Sequence, residues 1–208
     1  MTKKDSAKLV EILKNTYPDA KCSLDFSKPF EMVAAVILSA QCTDERVNKT
    51  TPKLFKRCTT IEDFAKIDLQ ELEEIIHPCG FYKNKAKNIK SCARQILDNH
   101  NGEVPKNMDD LLKLSGVGRK SANVIMLEVF GIPSGIAVDT HAKRISKRMG
   151  LSNNSDPEKI EQDLLKIFDK SLLKDINHLF MWHGRNTCTA PNPKCDSCTI
   201  KAYCKQKI

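Results

Sequence analysis

The sequence has no long apolar run. No stretch approaches the ~20 consecutive apolar residues of a membrane-spanning helix, so we predict a protein without a membrane partner. The first residues, from Met1 to Ser6, also lack the apolar core of a signal peptide. With 208 residues, 40% hydrophobic and 29% charged, the composition is that of a globular protein with one large or two small domains. We therefore expect it in the cytoplasm or nucleoid of a prokaryote.

The sequence also lacks sustained alternation of apolar and polar residues, which is the main signal of strands. Repeats and low-complexity segments are absent too. Helical spacing is present instead. Leu9, Ile12, Leu13 and Tyr17 form a stripe that ends before Pro18. Similar patterns predict helices over residues 84–97, 108–114, 119–130, 140–149 and 157–168. The expected fold class is therefore all-α.

Three further segments carry helix signals of other kinds. The apolar run of residues 30–38 could form a buried strand, but its length and the preceding Pro29 favour a buried helix. Thr51 and Pro52 predict the start of another short helix. Asp68, with Glu71 three residues later, predicts a capping box that opens a helix over 69–76.

Nine cysteines fall into two groups. Five stand singly in hydrophobic surroundings, as small buried residues do: Cys22, Cys42, Cys58, Cys79 and Cys92. The other four are spaced C-x6-C-x2-C-x5-C near the end of the chain, as Cys188, Cys195, Cys198 and Cys204. Such close spacing predicts a four-thiolate metal centre rather than disulfides. The spacing alone fits zinc and an iron–sulfur cluster equally well.

The net charge is +8, and the charged residues are distributed unevenly along the chain. Five basic residues and no acid lie between Lys83 and Arg94, and residues 143–148 hold four more. Six acids lie between Glu62 and Glu74. Basic blocks favour a polyanionic partner, although each block could equally be a solvated helix face.

A glycine-rich turn lies between two predicted short helices, in the segment LSGVGRK of residues 114–120. Gly116 and Gly118 permit a tight turn that leaves the N–H groups of the second helix open to an anion. The segment matches neither a dinucleotide-binding motif nor a P-loop, because their required glycines are absent. It fits a helix-hairpin-helix that grips a nucleic-acid backbone. A helix–helix turn without a ligand is the alternative.

Lys120 lies in the first turn of the second helix, where a cation is unfavourable. It could contact phosphate or serve as a nucleophile. A nucleophilic amine needs a pKa near ~7–8, which costs about 4 kcal/mol relative to an ordinary lysine. A helix N-terminus supplies at most about 2 kcal/mol of this, so Arg119 and desolvation by substrate would have to supply the rest.

Asp139 follows the Gly/Pro-rich break of residues 131–135 and precedes a predicted helix. Taken alone, it is best interpreted as an N-cap. An ionised neighbour would raise the pKa of Lys120 rather than lower it. Its chemical roles would therefore be to accept a proton or to stabilise a positively charged sugar-like transition state.

The motifs together resemble those of the endonuclease III family of DNA glycosylases. LSAQCTD at 38–44, LSGVGRKSAN at 114–123, AVDTH at 137–141 and HGR at 183–185 come in the family's order, followed by the four cysteines. The resemblance covers almost the whole chain. It implies a six-helix barrel domain over residues 22–132, with a helix-hairpin-helix at about 108–128. Residues 1–21 and 133–208 would form a second domain with a [4Fe-4S] cluster in the 188–204 loop, and a DNA-binding cleft would lie between the domains.

The resemblance also implies a reaction. Lys120 would attack the sugar of a damaged pyrimidine nucleotide that has swung out of duplex DNA, expel the base and form a Schiff base, with Asp139 assisting. Cleavage 3′ to the abasic site would follow by β-elimination. Gln41 would fill the vacated space, and Cys79, Gly80 and Phe81 would wedge into the opposite strand.

Other contacts are implied more broadly. The hairpin residues Gly116, Val117, Gly118 and Arg119, together with Lys194, would bind DNA, and the protein would act as a monomer. Cys79 and Phe81 depart from the aliphatic residues usual in the family's wedge, and Lys194 is the only basic residue between Cys188 and Cys195. We expect that loop to contribute less DNA affinity than in relatives.

Two other functions are compatible with parts of the pattern. A monofunctional glycosylase of the same fold would not need Lys120. A non-enzymatic DNA-binding protein with a redox-sensing cluster would use the hairpin and the basic blocks, but would leave Lys120 and Asp139 unexplained.

Overall fold

A computed structural model describes residues 1–206 of the chain. This part consists of α-helices, short 3₁₀ turns and connecting loops, without strands, which confirms the all-α expectation. None of its helices is long and apolar enough to cross a membrane. In chain order the α-helices are α1 Lys3–Thr16, α2 Pro29–Ser39, α3 Asp44–Arg57, α4 Ile61–Lys66, α5 Leu69–Ile76, α6 Tyr82–His100, α7 Met108–Leu111, α8 Arg119–Phe130, α9 Thr140–Met149, α10 Pro157–Ile167 and α11 Leu173–Asn186.

The chain forms two compact units. One is continuous, Ser23–Phe130, and contains α2 to α8. The other joins Met1–Cys22 to the chain from Gly131 onward and contains α1 and α9 to α11.

Helix α2 is the core of the continuous unit. Every residue from Phe30 to Leu38 is buried, and α2 packs against α3, α6 and α8. A segment that is apolar on all sides can be buried as a helix when neighbours cover its whole circumference. This explains why the run forms a helix although its composition also suits a strand. Pro29 occupies the first turn, where its missing N–H costs no hydrogen bond.

The other unit is built around α11. Helix α1 packs against α11, and α9 packs against both α10 and α11. Its core includes Leu9, Leu13, Ile145, Ile176 and Phe180, all fully or almost fully buried. The stripe predicted for the first helix thus faces a partner more than 160 residues away in the sequence.

The helix start predicted at Thr51 and Pro52 was wrong. Helix α3 begins at Asp44, with the Thr43 hydroxyl accepting a hydrogen bond from the Arg46 N–H at 3.3 Å, and Pro52 lies inside the helix. Burial of neighbouring Val47, Thr51 and Leu54 offsets the hydrogen bond that proline removes.

Asp68 caps α5 as predicted, by accepting hydrogen bonds from the N–H groups of Gln70 and Glu71. Glu71 does not complete the capping box. Its two carboxylate oxygens instead accept hydrogen bonds from one edge of the Arg57 guanidinium, from Nε at 2.5 Å and from Nη2 at 2.8 Å. The choice between these partners depends on α3 lying beside α5, which the local pattern does not contain.

The ends of three helices differ from the predicted ones by one to three residues. Helix α6 runs from Tyr82 to His100 rather than over 84–97, α7 stops at Leu111, and α10 stops at Ile167. Helices α4 and α11 were not predicted. Helix α4 has only six residues, which is too short to show a periodic pattern.

Candidate functional site

The glycine-rich turn joins α7 to α8 and is braced from α6. The Ser115 N–H donates to Gln95 Oε1 at 2.8 Å, and the Ser115 and Ser91 hydroxyls are 2.7 Å apart. Gly116 has φ of 81°, a left-handed conformation, and a Cβ at this position would lie 3.0 Å from the Asn88 side chain. Glycine is therefore required at 116 for both backbone and space.

Beyond Gly116 the turn is open. A Cβ at Gly118 would have no atom within 4 Å, and Gly118, Arg119 and Lys120 are all exposed. Arg119 and Lys120 form the first turn of α8, a helix of 12 residues. The positive end of its dipole and its first N–H groups face this accessible surface. The geometry therefore suits close approach of a phosphate group.

Asp139 is the N-cap of α9. Its Oδ1 accepts a hydrogen bond from the Ala142 N–H at 2.7 Å. The preceding strand-like segment is anchored, because the Ile136 N–H donates to Glu161 Oε1 and the Ala137 N–H donates to Asn177 Oδ1 at 2.7 Å. The carboxylate is half-buried and fixed in orientation. The capping interpretation of Asp139 is confirmed.

Gln41 and Phe81 are exposed residues with unusual backbone conformations. Gln41 follows α2 with φ of 52°, and Phe81 precedes α6 with φ of 48° and 66% of its surface exposed. Gly80 also has positive φ, 66°. The Lys85 ammonium donates to the carbonyl of Leu38 at 2.8 Å and to that of Cys79 at 2.9 Å. The structure thus brings these two surface segments together.

Cys79 differs from its neighbours in the predicted wedge. Only 2% of its surface is exposed, so its side chain is part of the core. Burial raises the pKa of its thiol. Of the residues predicted to form the wedge, Phe81 is the one whose side chain is exposed.

The four cysteines of the 188–204 loop line a single recess. Its walls also include Ile145, Met149 and Ile200, and its cavity volume is about 30 Å³. Within residues 1–206, no three Cys, His, Asp or Glu side chains converge as ligands of one metal ion. Four thiols around one recess are a donor set that both iron–sulfur clusters and structural zinc sites use.

Two arginines of α9 hold this loop. Arg144 donates from Nε to the Cys188 carbonyl at 2.9 Å and from Nη2 to the Gly184 carbonyl at 2.8 Å. Arg148 donates to the carbonyls of Thr189 and Ala190, at 2.7 and 2.9 Å. Both arginines belong to the basic block of residues 143–148, for which the sequence predicted a polyanion or solvent as partner. Their spacing of four residues puts both on one face of α9, a signal that could have indicated a shared target.

His183 lies beside the same recess. It is 2% exposed, and its Nε2 is 3.8 Å from Cys198 Sγ while its Nδ1 is 3.1 Å from the Tyr17 hydroxyl. Burial lowers the pKa of His183 to about 4, so the ring is neutral at pH 7. At the next residue, a Cβ on Gly184 would lie 2.7 Å from the Cβ of His141. The HGR segment therefore has a structural part in the close packing of α9 and α11.

The fold and these sites define a class. The family model for HhH-GPD superfamily base excision DNA repair proteins matches residues 34–170 of the chain. This match includes the glycine turn, Lys120 and Asp139.

Individual proteins are similar to the chain over almost its whole length. The chain is 46% identical over 202 residues to Endonuclease III of Synechocystis sp., covering 97% of this chain and 92% of that protein. It is also similar to the solved structures of a non-covalent Endonuclease III–DNA complex and of a trapped Endonuclease III–DNA covalent intermediate. For both, the identity is 42%, the TM-score is 0.92 and 99% of this chain is covered, with 96% and 97% of the solved chains. The chain belongs to the endonuclease III family.

Proposed function

We propose that Lys120 is the nucleophile, and Asp139 its assisting carboxylate, of a base-excision-repair enzyme. The enzyme is a bifunctional DNA glycosylase and abasic-site lyase that acts on oxidised pyrimidines. The observation that carries the assignment of Lys120 is its exposed position at the open N-terminus of α8, next to two glycines that let a DNA backbone approach.

The reaction proceeds in two stages. The neutral Lys120 amine attacks the sugar C1′, and the bond from C1′ to the damaged base breaks with its electron pair leaving on the base, which is then protonated. Ring opening gives a Schiff base between Nζ and C1′. Loss of a proton from C2′ then expels the 3′ phosphate, which cleaves the strand.

Asp139 assists from a fixed position. Its hydrogen bond from Ala142 and the anchored segment before it keep the carboxylate from reorienting. A fixed carboxylate stabilises positive charge developing on the sugar without reorganising during the reaction. A carboxylate is also able to accept a proton.

Duplex DNA that contains a damaged pyrimidine or an abasic site is the proposed partner. The hairpin residues Gly116, Val117, Gly118 and Arg119 bind a backbone phosphate, and exposed Lys194 adds a contact from the cysteine loop. Val117 itself is buried, so its contribution is through the backbone. Gln41 occupies the space of the extruded nucleotide, and Gly80 and Phe81 enter the opposite strand. The enzyme acts as a monomer at the nucleoid of a prokaryote.

The cysteine recess is proposed to hold a [4Fe-4S] cluster. Cys188, Cys195, Cys198 and Cys204 are its ligands, and Arg144 and Arg148 hold the loop that carries the first of them. A cluster held by these four thiolates would supply metal–thiolate bonds that stabilise a loop with little core of its own. A visible absorption band would distinguish it from zinc, which has none.

The two compact units are proposed to be the two domains of the family. Residues 22–132 would form the six-helix barrel domain with the helix-hairpin-helix at about 108–128. Residues 1–21 and 133–208 would form the cluster domain. The hairpin in one unit and the four cysteines in the other support this division.

Borohydride trapping tests the assignment of Lys120. We expect the wild-type protein to give a covalent adduct with a duplex containing thymine glycol, and Lys120→Ala to give none while still binding the duplex. Lys113→Ala is a matched control, since this nearby lysine pairs with Asp110 at 2.8 Å. Unchanged trapping in Lys120→Ala would refute the assignment.

The same assay separates the alternatives. A monofunctional glycosylase would cleave the strand only after alkali treatment. A non-enzymatic DNA-binding protein would bind tightly and leave both base and strand intact, whatever the state of its metal centre.

A further inference from the structure

Lys85 is a buried cation with an unusual location. Only 4% of its surface is exposed, and it lies in the first turn of α6, where the helix dipole disfavours positive charge. Burial lowers the pKa of its ammonium group. A buried ammonium persists only where strong acceptors replace the water it has lost.

Those acceptors are two backbone carbonyls at helix ends. Leu38 is the penultimate residue of α2, and its oxygen is 2.8 Å from Lys85 Nζ. Cys79 ends the 3₁₀ turn His77–Cys79, and its oxygen is 2.9 Å from the same nitrogen. Terminal carbonyls carry the negative end of the helix dipole and need a donor. One ammonium therefore caps two helix ends at once.

Each capped end leads directly into a surface segment. Gln41 comes three residues after Leu38, and Gly80 and Phe81 come directly after Cys79. Gln41 and Phe81 both have positive φ although neither is glycine, and such conformations last only where the surrounding structure enforces them. The Lys85 side chain fixes the backbone just before both.

We propose that Lys85 is a positioning residue that holds the Gln41 segment and the Gly80–Phe81 segment at a fixed separation for opening the duplex. The proposal rests on the proposed function, in which these two segments enter the DNA around an extruded nucleotide. Segments held in place before binding lose less conformational freedom when they enter the stack. Lys85 touches neither Lys120 nor the reacting sugar in this scheme, so it acts on nucleotide extrusion and not on bond cleavage.

The test compares Lys85→Met with Lys90→Met. Both residues are lysines of α6, and Lys90 donates to the carbonyl of Ile67, a residue in the connection between α4 and α5. Each variant replaces an ammonium with a methyl-terminated chain of similar length. Thermal denaturation and circular dichroism show whether each is folded.

Two readouts separate extrusion from chemistry. The first is the fluorescence of 2-aminopurine placed beside the lesion in a fully paired duplex, which rises when the stack opens. The second is borohydride trapping at an abasic site within an unpaired bubble, where little unstacking is required.

Lys85→Met lacks both hydrogen bonds of the ammonium, and we expect it to reduce the fluorescence-detected opening equilibrium by at least about tenfold. The yield of borohydride trapping at the abasic site in the bubble should stay within about twofold of the wild-type yield. Lys90→Met should change neither. Unchanged opening in Lys85→Met would overturn the proposal, and so would equal losses of opening and bubble trapping, which would indicate a general structural role.

A second variant covers the case in which Lys85→Met does not fold. Lys85→Gln keeps an amide donor of shorter reach, and its opening equilibrium should be lower than that of the wild type, by up to about tenfold. An opening equilibrium equal to that of the wild type would count against the proposal. A wild-type protein that gives no trapping on any duplex would instead refute the proposed function.

Discussion

Asp139 combines two requirements in one carboxylate. As the N-cap of α9 it accepts the Ala142 N–H, and as the proposed catalytic group it must keep a negative charge beside the sugar. Asparagine satisfies the first requirement but not the second, because it caps helices about as well as aspartate without the charge. The two roles can therefore be separated by substitution.

We expect Asp139→Asn to fold with near wild-type stability and to lose most of its glycosylase activity. Asp139→Ala should lose that activity too, and also about 1 kcal/mol of unfolding free energy through loss of the cap. Single-turnover cleavage and chemical denaturation measure the two effects. Activity retained in Asp139→Asn would assign the carboxylate to capping alone.

Several charged side chains face inward although the sequence pattern suggested exposed basic faces. Lys85 and Lys90 come from one basic block and donate to backbone carbonyls. Arg144 and Arg148 come from the other and hold the cysteine loop. Each block supplies fewer charges to the surface than its composition suggests, so polyanion binding depends on the remaining residues.

At the scale of elements, the two glycines of the hairpin have different tasks. Gly116 has a left-handed backbone and a close neighbour in Asn88, whereas a side chain at Gly118 would extend into open space. The first glycine is needed to form the turn and the second to keep it accessible.

Alanine substitutions should separate these tasks. Gly116→Ala should lose on the order of 1–2 kcal/mol of unfolding free energy, from the positive φ and the contact with Asn88. Gly118→Ala should unfold like the wild type but bind duplex DNA more weakly, because its methyl group occupies the approach of a phosphate. Equal affinity of Gly118→Ala and wild type would argue against phosphate binding at this turn.

Helix α4 depends on its cap because it is only six residues long. The Asp63 carboxylate accepts hydrogen bonds from the N–H groups of Thr59 and Thr60, at 2.9 and 3.0 Å. The Thr59 hydrogen bond is the main reason that the pKa of Asp63 lies below its ordinary value.

This pKa shift predicts a pH dependence. A carboxyl group with a lower pKa in the folded state stabilises the protein above its unfolded pKa near ~4, and this contribution is lost as the pH falls through the folded value. We expect Asp63→Asn to be less stable than wild type at neutral pH, and the difference to narrow as the pH falls below about 4. Denaturant midpoints across this range would show it. A stability difference between wild type and Asp63→Asn that does not change with pH would contradict a lowered pKa of Asp63 in the folded protein.

At the scale of the whole molecule, the excess of positive charge and the exposed hairpin predict salt-dependent DNA binding. A protein that neutralises phosphates loses affinity with increasing salt, with a slope of about −0.9 in log affinity per log salt for each contact. Lys194 is an exposed lysine of the cysteine loop and the only basic residue between Cys188 and Cys195.

We expect Lys194→Ala to reduce the magnitude of the slope by no more than about 0.9, one phosphate contact. Lys113→Ala should leave the slope unchanged because its ammonium already pairs with Asp110. Fluorescence anisotropy with undamaged duplex, measured over a series of salt concentrations, tests both. If Lys194→Ala reduced the magnitude of the salt slope by the equivalent of several phosphate contacts, this loop would bind DNA more strongly than we propose.

Local signals were sufficient for much of the fold. Helix α8 spans the predicted residues 119–130, and α9 spans the predicted 140–149, because each has a glycine or an N-cap residue at its boundary. The helix start predicted at Pro52 was wrong because the effect of a proline depends on the burial of the residues around it. Helix α4 was not predicted because its six residues hold less than two turns. The thiolate spacing indicated one shared site, and the structure places all four cysteines around one recess.

The sequence by itself determined that the chain is helical, where its glycine turn lies and which cysteines act together, because these properties depend on neighbours within a few residues. Tertiary structure decided which partners the charged side chains reach: that buried Lys85 joins two surface segments, that Glu71 pairs with Arg57 at the surface, and that Arg144 and Arg148 hold the cysteine loop. The physical reason is that a charged group is buried only where strong hydrogen-bond partners meet it, and here those partners come from distant parts of the chain.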